Sequence, residues 1–214
     1  MSRNYLKLNE EKTEIVEIGP YLNHFQTVKL GSTDIAVVQK AKNLGFIFDD
    51  SLSMNDHLNL ISRKCNMALR DLRRIGSKLS LELKIQLVHS CILSHLDYCN
   101  ATLSSLSVSQ LNTLQKLQNS AVRFIYNLSR RDRVKPYMKQ LHFLPVRERI
   151  SYKLALLTFK AIHGIAPPYL TELLNLKNPY ELYGLRTNDN PYILKYHKPY
   201  NLKATSGHFH IKHP

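Results

Sequence analysis

The chain has 214 residues, 43% of them hydrophobic and 21% charged, values of an ordinary folded domain that exclude a collagen-like, coiled-coil or wholly disordered chain. No apolar run reaches the ~18–20 residues of a membrane span, and the first twelve residues lack the apolar stretch of a signal peptide. Thirty Lys and Arg against sixteen Asp and Glu give a net charge of +14, and the excess lies beyond the first quarter: residues 1–50 hold 6 basic and 7 acidic side chains, residues 51–214 hold 24 and 9. A surface of that sign suits a polyanion, because each phosphate neutralised releases condensed counterions. Three cysteines, Cys65, Cys91 and Cys99, are too few and odd in number for a disulfide framework, so a soluble product of a reducing compartment, cytoplasmic or nuclear, is expected.

Glu14–Ile18 alternates polar and apolar residues, and Ile35–Val38 and Leu44–Phe48 are short apolar runs bounded by turn formers; a small sheet is expected over residues 1–50. From Asp56 the period lengthens. Leu58, Ile61, Cys65, Leu69, Leu72, Ile75 and Leu79 recur at three- and four-residue steps, the apolar stripe of a helix whose other face carries Arg63, Lys64, Arg70, Arg73 and Arg74. Ser80 offers an N-cap to a mostly buried helix from Leu81 to about Tyr98. Ser107-Val-Ser-Gln110 is a capping-box pattern opening a third helix, with Leu111, Leu114, Leu117, Ala121 and Phe124 inward, that should fade near Asn127. Arg130, Arg131, Arg133 and Lys135 form a basic loop; a further helix runs from Pro145 to His163-Gly164, and Pro167-Pro168 closes the unit. Residues 177–214 show no sustained period and read as an irregular tail.

The expected fold is α+β: a small β region over 1–50, a mainly helical bundle over 51–176 with enough apolar stripe to fold alone, and the tail over 177–214. Two clusters invite a chemical reading. Phe48-Asp49-Asp50 compares with the aromatic-x-Asp-Asp turn on which polymerases hold two metal ions, but no earlier strand supplies the further carboxylate, and a strand-to-helix turn with capping acids accounts for it better. Cys91, His95 and Cys99 stand at i, i+4 and i+8 without the close Cys-x-x-Cys pairs of structural zinc, so buried thiols in a helical core are expected instead. No phosphate-loop, Gly-x-Ser-x-Gly or His-Glu-x-x-His pattern occurs.

Six blocks, in order, carry a resemblance: Leu44-Gly-Phe-Ile-Phe-Asp49; His57; Leu96-Asp-Tyr-Cys-Asn100; Leu114-Gln-Lys-Leu-Gln-Asn119 through Arg123; Leu141-His-Phe-Leu-Pro-Val146 through Ile150; and Ala166-Pro-Pro-Tyr-Leu170. Together they resemble the later part of jockey-like, LINE-type (non-LTR) retrotransposon reverse transcriptases, over about residues 6–175. The resemblance implies the end of a palm followed by a thumb, with fingers, first catalytic strand and Asp-Asp turn expected upstream of Met1. It implies that Lys12 corresponds to a motif lysine assisting pyrophosphate departure, and that Leu44 and Gly45 correspond to the primer grip. The thumb face of Arg63, Lys64, Arg70, Arg73 and Arg74, with Arg123, Arg130 and Arg131 as weaker candidates, would track RNA, DNA or an RNA–DNA hybrid by its phosphates. The intact enzyme would use Mg²⁺; this chain is expected to hold no cofactor and to be inactive alone. The alternative is a non-catalytic basic helical module that binds RNA or a protein partner.

Overall fold

The computed structural model describes residue 9 and residues 12–19, 26–31, 33–174, 176–177 and 193–194. The α+β expectation holds: small antiparallel sheets precede a mostly helical region. Two compact units divide the chain, 1–153 and 154–214.

In the first unit, β1 (Thr27–Leu30) pairs with β2 (Thr33–Ala36), Thr27 opposite Ala36. The next hairpin joins β3 (Lys40–Asn43) to β4 (Phe46–Asp49), with Lys40 opposite Asp49 and Asn43 opposite Phe46. The strand expected over Glu14–Ile18 is reduced to a parallel bridge from Ile15 to Val37, with the Val38 N–H donating to the Ile15 carbonyl at 2.8 Å. Strands β1 and β3 had no apolar signal, since Thr27-Val-Lys-Leu30 and Lys40-Ala-Lys-Asn43 expose much of their surface.

Asp49 turns the chain from β4 into α1 (Asn55–Ile75). Its Oδ1 accepts from the Ser51 hydroxyl and the Ser53 N–H, both at 2.7 Å, and its Oδ2 from the Met54 N–H at 2.8 Å. That clasp holds Met54 in a left-handed conformation (φ 61°, ψ 9°) that a side chain with a Cβ adopts only at a cost. Leu58, Ile61, Cys65, Leu69 and Leu72 of α1 are buried as the stripe required, whereas Ile75 is exposed. At ~1.5–3 kcal/mol for each fully buried large aliphatic side chain, this stripe is the main anchor of α1.

Ser80 caps α2 (Leu81–Val88), its side chain accepting from the Leu83 N–H. This helix departs from expectation: Leu81 and Leu83 are exposed while Lys84 is buried. The chain then widens into a π turn, His89–Leu93, before α3 (Ser94–Asp97); the extra residue per turn leaves consecutive Ile92 and Leu93, as well as Leu96, inside the core. With the helix widened and ended at Asp97, the i, i+4, i+8 face does not form. Cys65 is buried, Cys91 half-buried, and Cys99, left-handed at φ 50°, exposed, so the buried-thiol reading fails for Cys99.

The capping box at Ser107 is present in full, and α4 (Val108–Tyr126) ends at left-handed Asn127. Helix α4 packs along α1 and α2. An unexpected helix, α5 (Lys135–Gln140), takes Lys135 out of the expected basic loop and has Pro136 in its first turn, and then α6 (Val146–Ile162) begins after Pro145. Phe46 from β4 belongs to the same buried cluster as Leu58, Leu96, Leu114 and Val146. Residue 50 therefore marks a change of secondary structure, and the core crosses it; independent folding of 51–176 does not follow.

In the second unit, Gly164 (φ 67°) turns the chain after α6, and Pro168 is the first residue of α7 (Pro168–Leu173). The Pro pair thus opens a helix as well as closing one, its ring angle being suited to a first helical turn. The Thr171 hydroxyl donates to the Ala161 carbonyl at 3.3 Å. Of the expected irregular tail, Lys177 pairs with Ile193 where β5 (Leu176–Lys177) meets β6 (Ile193–Leu194); the remainder of 177–214 lies outside the described residues.

Candidate functional site

Along α1, Asn66, Arg70 and the adjacent pair Arg73 and Arg74 recur three or four residues apart, which places them on one flank beside the buried stripe. Helix α4 answers with Lys116, the adjacent pair Asn119 and Ser120, and Arg123, again three or four residues apart, opposite its inward Leu114, Leu117 and Ala121. The helices approach closely where Gly76 meets the Phe124 ring: a Cβ on Gly76 would lie 2.9 Å from Phe124 Cε2. Just after α4, Asn127, Leu128 and Arg130 complete the lining.

The result is a groove of about 940 Å³ that includes Arg73, Lys116, Arg123 and Arg130 among its walls. No carboxylate among the described residues lines it. The Arg123 Nε is buried and has no hydrogen-bond partner among the described residues. A second recess of about 550 Å³, formed by Asn66, Arg70, Arg73 and Arg74, shares Arg73 with the first. Asp71 is the nearby acid, 3.9 Å from Arg74 with both side chains exposed, an ion pair of small energetic consequence. The groove gathers four cationic side chains, and a site of one charge sign raises the local concentration of counter-ions.

The residues singled out from sequence divide on this geometry. Arg73, Arg123 and Arg130 meet in the groove, and Arg70 and Arg74 flank it. Arg63, Lys64 and Arg131 are exposed outside both recesses. Lys64 lies on the opposite flank of α1, where burial first and its charge second hold the His57 and His95 imidazoles below their usual range. Leu44 and Gly45 form the tip of the β3–β4 hairpin, both at positive φ (48° and 91°), as a two-residue mirror-image turn requires; Leu44 is 87% exposed and its carbonyl accepts from the Tyr98 hydroxyl. Lys12 is an exposed residue in a short turn, its N–H directed to Asn9. Lys116, Asn119 and Asn127 were missed, although the spacing of Lys116 to Arg123 opposite an apolar stripe is a signal the sequence contains.

The Asp49 carboxyl is acted on by burial, which raises its pKa, and by hydrogen bonds from Ser51, Ser53 and Met54, which together hold it below the ordinary value. Both its oxygens are committed to the turn, so the residues present do not fit a bound Mg²⁺; among the described residues no group of three or more His, Cys, Asp or Glu is placed to hold a metal. No helix among them is long and apolar enough to cross a membrane. Comparison with protein-family models, with curated proteins and with solved structures gives no significant match.

Proposed function

We propose that this chain is a nucleic-acid-binding module, the end-of-palm and thumb part of a non-LTR retrotransposon reverse transcriptase, whose own residues grip the phosphate backbone of RNA, DNA or their hybrid without performing the polymerase chemistry. The observation that carries the binding reading is the groove: four cations on two helices and a loop, with no carboxylate among them. Arg and Lys so arranged suit phosphate oxygens, which fix the register of a nucleic acid without reading its sequence. The polymerase assignment is supported by the ordered sequence blocks, and the engagement of Asp49 in its turn supports a non-catalytic role.

Fluorescence anisotropy with a labelled RNA–DNA hybrid tests the reading. Changing Arg73, Lys116, Arg123 and Arg130 together to Gln is expected to weaken binding to all sequences alike and to flatten the slope of log K against log salt by roughly 0.9 per lost contact, the value for B-DNA. Arg63→Gln with Lys64→Gln, outside the groove, is the control and should leave most of the slope in place. A wild-type chain that does not bind the hybrid, or a groove variant with an unchanged slope, refutes it. Primer extension on an RNA template with Mg²⁺ is expected to give no template-dependent incorporation.

A further inference from the structure

Beneath the groove lies a cation that the backbone-binding reading leaves unused. Lys84 of α2 is only 4% exposed, and an ammonium removed from water requires compensation. Among the described residues no carboxylate pairs with it. Its Nζ donates instead to Asn127 Oδ1 at 2.9 Å and sits 5.6 Å from the centroid of the Phe124 ring. Both partners line the groove.

That arrangement settles the orientation of the Asn127 amide. An ammonium has donors and no acceptor, so the amide must present its oxygen to Lys84 and turn its NH₂ the other way. Asn127 Nδ2 has no partner among the described residues. The left-handed backbone of Asn127 (φ 53°, ψ 39°) fixes where the side chain leaves the helix, and Arg123, one turn earlier, brings its own unpartnered Nε. An uncharged double donor and a guanidinium, with further cations and no acid among the described residues lining the groove, match the oxygens of a phosphate group.

We propose that the groove contains a phosphate seat in which Asn127 donates to a phosphate oxygen and Lys84 is the positioning residue that fixes the amide. The ligand class is a phosphate ester or polyphosphate, and the nucleic-acid reading supplies its source, the backbone phosphate. Asn127→Asp separates this role from a purely structural one. Asp tolerates the left-handed conformation and gives Lys84 the carboxylate it lacks, so the fold is kept while a negative charge enters the groove.

Thermal melting of the full chain in inorganic pyrophosphate, at matched ionic strength, provides the test. The wild type is expected to gain melting temperature with added pyrophosphate. Asn127→Asp should melt no lower than the wild type without ligand and bind pyrophosphate about tenfold more weakly or worse. Lys84→Met leaves every groove-lining group in place and should also bind more weakly; it decides the matter if the Asp variant does not fold. No response in the wild type, or wild-type affinity in Asn127→Asp or, failing that variant, in Lys84→Met, overturns the seat. Hybrid binding without any pyrophosphate response overturns the seat and leaves the nucleic-acid reading standing. A pyrophosphate response lost in Asn127→Asp, with no hybrid binding, keeps the seat and assigns it to a free polyphosphate.

Discussion

His57 shows how one side chain joins strand to helix. It is buried at the start of α1, stacked on Phe46 with ring centroids 3.9 Å apart, and its Nδ1 accepts from the Ile47 N–H at 3.4 Å. A ring that accepts at Nδ1 is neutral, and its Nε2 is buried without a partner among the described residues. Burial first and the Lys64 charge second push its pKa below the ordinary 6.5, and half-buried His95 is shifted the same way by the same causes. The unfolded chain therefore binds protons that the folded chain refuses. The stabilising contribution is complete above pH 6.5 and is lost as pH falls through the folded value. Melting temperature is expected to fall between pH 7.5 and 5.5, and to fall less steeply in His57→Gln, whose side-chain oxygen can still accept from Ile47. Equal pH dependence in wild type and variant would count against a neutral buried imidazole at this position.

The start of α6 is docked on α4 by amide side chains. Fully buried Gln118 donates to the Leu144 carbonyl at 2.8 Å and accepts from Gln115 Nε2 at 3.0 Å, while Gln115 Oε1 accepts from the Val146 N–H at 2.9 Å. An otherwise orphaned first-turn donor of α6 is thereby satisfied. Arg149 completes the joint, its Nη1 2.6 Å from Asp97 Oδ2 and its Nε 3.1 Å from the Leu144 carbonyl. Gln118→Leu keeps the volume and removes two hydrogen bonds in a buried place; Leu144 retains Arg149, and Gln115 retains Asn119 at 2.9 Å. The expected loss is about 1–3 kcal/mol, measurable by denaturant titration. A variant as stable as the wild type would show that these amides are not a structural joint.

Phe46, 2% exposed, carries the β3–β4 hairpin into the helical core of the first unit, and β4 packs on α1. Tyr98 clasps the Leu44 carbonyl at the other end of that hairpin, and Gln110 Nε2 reaches from the start of α4 to the Ser53 carbonyl at 2.9 Å. Removing residues 1–50 takes away the aromatic stack on His57 and uncovers the apolar surface of Met54 and Leu58. Truncating a buried Phe alone costs about 3–5 kcal/mol, a large part of the ~5–15 kcal/mol stability of an ordinary domain. Residues 51–176 are expected to melt well below the full chain, and Phe46→Ala in the full chain to fall between them. Circular dichroism against temperature checks both; coincident melts of the full chain and of 51–176 would show the hairpin to be an accessory.

What the sequence disclosed was local. Ser80, Ser107 with Gln110, Asn127 and Gly164 mark helix ends because capping joins a residue to others within about three or four positions, and the α1 stripe is legible because period alone chooses its buried side. The sequence blocks quoted for the resemblance were equally visible, yet their contacts with one another were not: Leu44 with Tyr98, Ile47 with His57, Asp97 with Arg149, and Gln118 with Leu144. Nor did the period reveal the π turn, the burial of Lys84 or the placing of Arg73 beside Arg123. Each depends on how α1, α2 and α4 pack, and a contact between residues tens of positions apart leaves no periodic trace in either segment. The basic character of the chain was written in its composition; its gathering into a groove came from packing two helices face to face.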